Sequence, residues 1–280
     1  GTLELGYLGL FHQRSKMFDL KAFREQKLPT QDEIILQWGS YKLDKPIVSI
    51  VCTTFNQENY IEDALKGFLI QKTSFPFEII IHDDASSDNT VGIIKRYEDK
   101  YPLIIKTILQ KENQYSKSPN SVLLITFEAV ASEFIALCEG DDFWVCENKL
   151  QEQYSALLAH PEINICFSSA FGLKNDGAKK VIANYGTEEK IINLSQVIRG
   201  GGGFMPTASI FLRRDAMLDL PAWFRDAPVG DYYIQILASK YGALYIPSRG
   251  VFYRLMALGS WSATRALQSK ERIIAEILAH

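Results

Sequence analysis

The chain has 280 residues, 47% hydrophobic and 22% charged, proportions that fit one large or two small globular domains and exclude a disordered chain. Thirty basic against thirty-three acidic residues leave a net charge of −3, and no run of Lys and Arg stands out, which argues against a nucleic-acid partner. The longest apolar runs, such as "IVSIVCTTF" and "FEIII", are strand-sized and fall short of the roughly 18 residues that a membrane-spanning helix needs, so the chain reads as soluble or at most peripheral to a membrane.

The N-terminal stretch has no basic region followed by a cleavage site, so it is not read as a secretory signal, and a first residue of Gly suggests a tag remnant or an excised fragment. Residues 1–45 read as a helical extension, with a capping box from Thr30 to Glu33 at the head of one short helix. From Pro46 the pattern changes. Strands are expected at 47–53, 77–82, 103–109 and 133–138, separated by amphipathic helices at 58–71, 88–100 and about 119–131. Short, continuous apolar strands alternating with helices predict an α/β fold, a mostly parallel sheet covered on both faces. Next come a helix at 147–160, a strand at 162–171, a Gly-rich loop at 199–204, a strand at 207–214, a helix from Asp231 to about Tyr241 and a strand at 250–256. This half is expected to extend the same sheet. The tail, 263–280, has helical periodicity; it reads as a helix packed on the domain, or as a connection or surface for another subunit or a membrane. Four cysteines, at 52, 138, 146 and 166, form no metal-type pair, and three lie in apolar runs, which fits a reduced, cytoplasmic protein.

Ligands of open parallel sheets bind beyond the carboxyl ends of the strands. Three strand ends here are polar: Thr53-Thr54-Phe55-Asn56, His82-Asp83-Asp84, and Glu139-Gly140-Asp141-Asp142. Either of the first two, alone, is explained by turn formation and helix capping, with Ser87 or Asp88 as the cap in the second. Together they describe a polar crevice with Asp84 on one wall and Asp141 on the other. Three acids in four positions repel one another unless a cation lies between them. A hard ion, Mg²⁺ or Mn²⁺, held by carboxylates and the phosphates of a substrate is the expected partner.

"VSIVCTTFNQENYIEDAL", "EIIIHDDASSDNT" and "FIALCEGDDFW", in this order, resemble the family 2 inverting glycosyltransferases of the GT-A fold. "ENQYS", "PTASIFLRR", "VGDYYIQILASKYG" and "YRLMALGSWS" resemble further segments of members that build bacterial polysaccharides and O-antigens. The resemblance spans residues 46–262, and implies a nucleotide-binding half (46–142) and an acceptor half (143–262). It implies that Thr54, Phe55, Asn56 and Glu58 line the nucleotide pocket and that Asp84 reads a uracil edge, for which a carboxylate accepting from a ring N–H is suited. It puts Glu139 near the ribose, Asp141 on the metal and Asp142 beside the donor sugar. Gln114, Ser116 and Lys117 fall in the segment that closes over the base or diphosphate, although Lys117 also reads as a solvated loop lysine. Asp231 matches the base that deprotonates the acceptor hydroxyl; as a residue at a helix start it also reads as an N-cap. The implied partners are a nucleotide-sugar donor, with UDP favoured, and a glycan or lipid-linked acceptor, with peripheral membrane or complex association through the terminal helices.

Two positions depart from the family pattern. Glu139 stands for the usual Asp, one methylene longer. Met256 occupies the place of a His that completes the metal site; a thioether is a poor ligand for a hard cation, so Met256 is expected to be a packing residue and the metal to be weakly held. Met256 keeps open a second reading, a degenerate domain that binds nucleotide sugar or glycan without turnover. A sugar nucleotidyltransferase would need a Gly-rich, basic loop after the first strand, which "CTTFNQEN" is not. The four glycines at 200–203 lack phosphate-loop spacing and read as a mobile flap near donor or acceptor or as a flexible linker.

Overall fold

The structure, a computed structural model, describes residues 18–41, 45–248 and 250–257, so the expected tail helix lies outside the described residues. The alternating pattern after Pro46 folds as read. Strands β1 (Val48–Thr54), β2 (Phe77–Asp83), β3 (Ile105–Leu109) and β4 (Phe134–Leu137) form a parallel block in the order β3-β2-β1-β4. Helices α3 (Ile61–Leu69), α4 (Thr90–Lys100) and α5 (Ser121–Glu128) make the crossovers. β1 and β2 are buried along nearly their whole length, which explains their unbroken apolar runs. Alternate residues serve opposite faces: Ile50 and Cys52 join one core with Phe68 and Trp38, while Val51 and Ile80 join another with Ile135, Phe204 and Ile234.

The second half extends this sheet in part. β6 (Ile165–Ser168), β9 (Lys190–Ile192), β10 (Phe211–Arg213) and β11 (Ala243–Ile246) complete an eight-stranded sheet, β3-β2-β1-β4-β10-β6-β11-β9, in which β10 and β9 run antiparallel to their neighbours. A second sheet, β5-β12-β7-β8, is built from β5 (Phe143–Trp144), β7 (Ala170–Leu173), β8 (Lys179–Ile182) and β12 (Val251–Arg254). The single strand expected at 162–171 is therefore two strands in two sheets, parted at Ser169, whose hydroxyl donates to the Ser248 carbonyl. The strand expected at 207–214 is shorter, because residues 207–209 make a 3₁₀ turn first. Helices α6 (Lys149–Ala159), α7 (Leu194–Gly200) and α8 (Gly230–Ala238) complete this half.

Two short helices precede the sheet. α1 (Leu20–Glu25) sends Phe23 into an aromatic cluster with Phe18, Phe143, Phe171 and Phe252, over the second sheet. α2 (Gln31–Leu36) has the expected capping box: the Glu33 amide donates to Thr30 Oγ1 (3.2 Å) and the Thr30 amide to Glu33 Oε2 (2.7 Å). The Gly-rich segment is tied to α8. Gly201 takes φ +67 after α7, residues 202–204 form a 3₁₀ turn, and the Gln235 amide donates from α8 to the Gly202 carbonyl at 3.0 Å.

Candidate active site

The three polar strand ends meet. The Asp84 amide donates to the Thr54 carbonyl (3.0 Å) and the Gly140 amide to the Thr53 carbonyl (3.0 Å), so the tips of β2 and β4 flank the tip of β1. Gly140 is required by this closeness: a Cβ there would lie 2.4 Å from Gln57 Oε1 and 2.8 Å from Thr54 Oγ1. Thr54 in turn donates to Gln57 Oε1 at 2.8 Å, and the Gln57 side chain also hydrogen-bonds Asp141.

Glu139, Asp141 and Asp142 offer ligand oxygens within 4.8 Å of one another. Asp141 and Asp142 are buried, and Glu139 is exposed at the mouth of the cluster. Burial and the neighbouring Asp141 and Asp231 carboxylates push Glu139 up to about 8. Burial raises Asp141, and burial together with Asp141 and Glu139 raises Asp142 well above the usual carboxylate range. Asp142 Oδ2 is buried with no hydrogen-bond partner among the described residues. Crowded carboxylates with an orphaned oxygen and all-oxygen donors fit a hard divalent cation.

A protein cation sits behind the turn, and sequence reading missed it. Arg254, on β12, donates from its guanidinium to the Asp141 carbonyl, and its backbone amide donates to Asp142 Oδ1 at 2.8 Å. The register that pairs Phe252 with Phe143 brings Arg254 to this place. The only signal in the sequence was a lone Arg at the end of an apolar strand.

Asp231 lies in the first turn of α8, one residue past its start, and not at the cap, which is Val229. Its carboxylate accepts from Thr207 Oγ1 (3.1 Å) and the Tyr232 amide (2.8 Å), while burial raises it above the usual range. Thr207 belongs to the 207–209 turn, whose Ala208 carbonyl accepts from Trp144 Nε1 at 2.7 Å, so Asp231 is tied to the segment that follows the acidic turn. Thr207 is a second residue that the sequence reading did not single out.

The other residues of the crevice divide by what their side chains do. Asp84, 3% exposed, accepts from the amides of Gln114 (2.6 Å) and Tyr115 (3.0 Å), so the 112–117 loop is built on the carboxylate expected to meet a base. The side chains of that loop bond within it: Gln114 to the Glu112 carbonyl, Ser116 to the Asn113 carbonyl, Lys117 to Glu112 at 2.9 Å. Asn56, at φ +52, accepts from the Ser87 amide, and Glu58 accepts from the Asn89 amide while Asp88 accepts from the Glu58 amide, locking the turns after β1 and β2 together. Asp88, not Ser87, also accepts from the Thr90 amide at the head of α4. Phe55 is exposed beside them. Met256 is half exposed at φ +61, so the packing role expected of it does not hold: its side chain leaves the core at a turn. A groove of about 830 Å³ along the β9 edge, lined by Ile191, Asn193, Leu194, Gln196, Arg199 and Tyr241 among others, includes none of the acids and no buried polar side chain.

The family model described as "Glycosyl transferase family 2" matches residues 49–219, more than half the chain. An uncharacterised protein of Mycobacterium tuberculosis is 35% identical over 216 residues, 76% of this chain and 60% of its own length, so the chain spans well under two thirds of that relative. The Escherichia coli UDP-Glc:alpha-D-GlcNAc-diphosphoundecaprenol beta-1,3-glucosyltransferase WfgD is 31% identical over 125 residues, 45% of each chain. The crystal structure of Staphylococcus aureus TarS 1–349 in complex with UDP-GlcNAc superposes with a TM-score of 0.58 at 16% identity, over 78% of this chain and 60% of that one, a likeness of fold. With its GT-A fold and strand-end acids, the chain belongs to glycosyl transferase family 2.

Proposed function

We propose that the chain is an inverting transferase that moves a sugar from a nucleotide diphosphate, UDP for preference, to a hydroxyl of a glycan or lipid-linked glycan in bacterial surface polysaccharide synthesis. The observation that carries this reading is that Asp231, from α8, is bonded to Thr207 of the 207–209 turn, whose Ala208 carbonyl accepts from Trp144, two residues past the three clustered carboxylates that follow β4. Inversion requires a base on the face opposite the departing diphosphate. Asp231 takes the proton of the acceptor hydroxyl, the hydroxyl oxygen forms the bond to the anomeric carbon, and the electrons of the broken C–O bond leave on the nucleoside diphosphate. Burial makes Asp231 a stronger base, while its bonds to Thr207 and the Tyr232 amide keep it aimed.

Asp141, with Glu139 beside it, would hold Mn²⁺ or Mg²⁺, and the unpaired Asp142 oxygen suits a donor-sugar hydroxyl. Such an ion stabilises the charge that develops on the diphosphate. UDP as donor is supported by the Asp84 carboxylate beside Thr54, and by the UDP-sugars named for WfgD and TarS. A diphosphate-linked lipid acceptor is supported by WfgD alone. Residues 46–262 would form the transferase domain, with 1–45 and 263–280 as helical extensions available to a membrane or a larger complex. The buried thiols of Cys52, Cys138 and Cys166, which form no disulfide among the described residues, fit a reducing, cytoplasmic setting, and no helix among the described residues is long and apolar enough to cross a membrane.

The test pairs a thermal-shift panel of nucleotide sugars, with and without Mn²⁺, with turnover by Asp231→Asn. UDP-sugars should raise the melting temperature, and the variant should lose about 10²–10⁴-fold in transfer while retaining nucleotide binding. Intact transfer in Asp231→Asn removes the base. The exposed Met256 favours one second reading, a domain that binds without turnover; binding of UDP-sugar with no transfer to any glycan acceptor in the wild type would select it.

A further inference from the structure

Arg254 does not act alone on the acidic turn. Behind it stands Asp63 of α3, 1% exposed, whose Oδ2 accepts from the Arg254 guanidinium at 2.5 Å. The same carboxylate is gripped from the other side by Arg24 of α1, which donates from Nε to Oδ1 and from a terminal nitrogen to Oδ2, both at 2.7 Å. One aspartate therefore joins the segment before the sheet to the turn that carries the candidate ligands. The arginine between them is packed as well as bonded: its guanidinium lies 4.5 Å from the centre of the Phe143 ring and 5.0 Å from that of Tyr60. Phe143 follows the turn directly and packs on Phe23 of α1, ring centres 5.2 Å apart.

We propose that Arg254 is a positioning residue for the acidic turn, and that Arg24, acting through Asp63, sets how tightly that turn holds a divalent cation and the donor diphosphate. The inference rests on the transferase reading. Buried ion pairs seldom add stability over a well-packed apolar alternative, so orientation is what this chain of charges can supply. The Arg24 fork fixes the plane of the Asp63 carboxylate, which holds one terminal nitrogen of Arg254; the other terminal nitrogen and the backbone amide of Arg254 pass that constraint to the Asp141 carbonyl and to Asp142. Groups that orient metal ligands in this way change metal affinity by roughly 10–100-fold when removed. The segment carrying Arg24 lies before residue 49, where the family match begins.

Arg24 is the residue to vary, because its side chain is 47% exposed and Asp63 keeps its bond to Arg254 when Arg24 is removed. Mn²⁺ binding in the presence of UDP is read by electron paramagnetic resonance, alongside the metal-free melting temperature and the Mn²⁺ dependence of turnover. In Arg24→Ala the Mn²⁺ dissociation constant should rise about tenfold. Turnover at saturating Mn²⁺ and UDP binding without metal should stay near wild type, and Arg24→Lys, with charge but no fork, should fall between. Asp63→Asn gives the second arm, with the same direction of change. Unchanged Mn²⁺ affinity in both variants, with only a lowered melting temperature, would make the triad a structural brace and overturn the inference while leaving the transferase reading in place. Wild-type protein that binds no Mn²⁺ with UDP would remove the metal reading and this inference with it.

Discussion

Met256 holds φ +61, a conformation that bulky residues rarely adopt and that His, Asn and Asp take several-fold more readily. It lies two residues beyond Arg254, whose amide anchors Asp142, so the turn it forms borders the acids. Met256→His relieves backbone strain and offers an imidazole, a better ligand for Mn²⁺ than a thioether. The half-saturating Mn²⁺ concentration for turnover should fall by about tenfold; a titration with no tightening would show that position 256 does not reach the ion. The acids themselves predict a pH dependence. Glu139 is pushed up from 4.5 to about 8, and Asp141 and Asp142 are raised as well. The native state thus binds more protons than the unfolded chain between those values, so the contribution of Glu139 to stability is present below about 4.5 and is lost as pH rises through about 8. A cation needs the ionised form and reverses that loss, so the rise in melting temperature caused by Mn²⁺ should grow from pH 5 to pH 8. A shift independent of pH would mean that Mn²⁺ binds elsewhere.

At the scale of elements, α8 aims the candidate base and its start is set by one close approach. A Cβ on Gly230 would fall 2.0 Å from Asn120 Oδ1, and Asn120 cannot retreat freely because its amide donates to the carbonyls of Phe224 (2.6 Å) and Ala227 (2.9 Å). Gly230→Ala should move the first turn of α8, and Asp231 with it, at a cost of about 1–3 kcal/mol in stability. A displacement of an ångström at a reacting group is enough to lose about 10²-fold in rate, so kcat should fall far more than nucleotide affinity; an unchanged kcat would show that the base is not held by this contact. The sequence made α8 and the whole β1 to β4 block legible, because those strands are buried on both faces and their crossovers are amphipathic. It did not reveal the break at Ser169, since both β6 and β7 are apolar and buried and no Gly or Pro parts them. Nor did it reveal the Arg24, Asp63 and Arg254 contacts. These join residues up to 191 positions apart, and each alone has the look of an ordinary surface charge.

Across the whole molecule, the acidic turn is the seam between two sheets, leaving β4 of one and entering β5 of the other. Trp144 joins both: its backbone pairs with β12, while its side chain lies in the core under the main sheet, with Nε1 donating to the Ala208 carbonyl at 2.7 Å. Phe252, fully buried, closes the other side of the seam, with ring centres 4.2 Å from Phe18, 4.9 Å from Phe143 and 5.2 Å from Phe171. Removing that ring should cost about 3–5 kcal/mol. If the seam makes the sheets one cooperative unit, Phe252→Ala lowers a single transition, and urea melts followed by far-UV circular dichroism and by tryptophan fluorescence keep the same midpoint. The cation that fits the acids should then raise that one transition and recover part of the loss, because it binds where the sheets meet. Two separated midpoints in the variant would show the second sheet melting by itself, and the acidic turn would then be held by the main sheet alone.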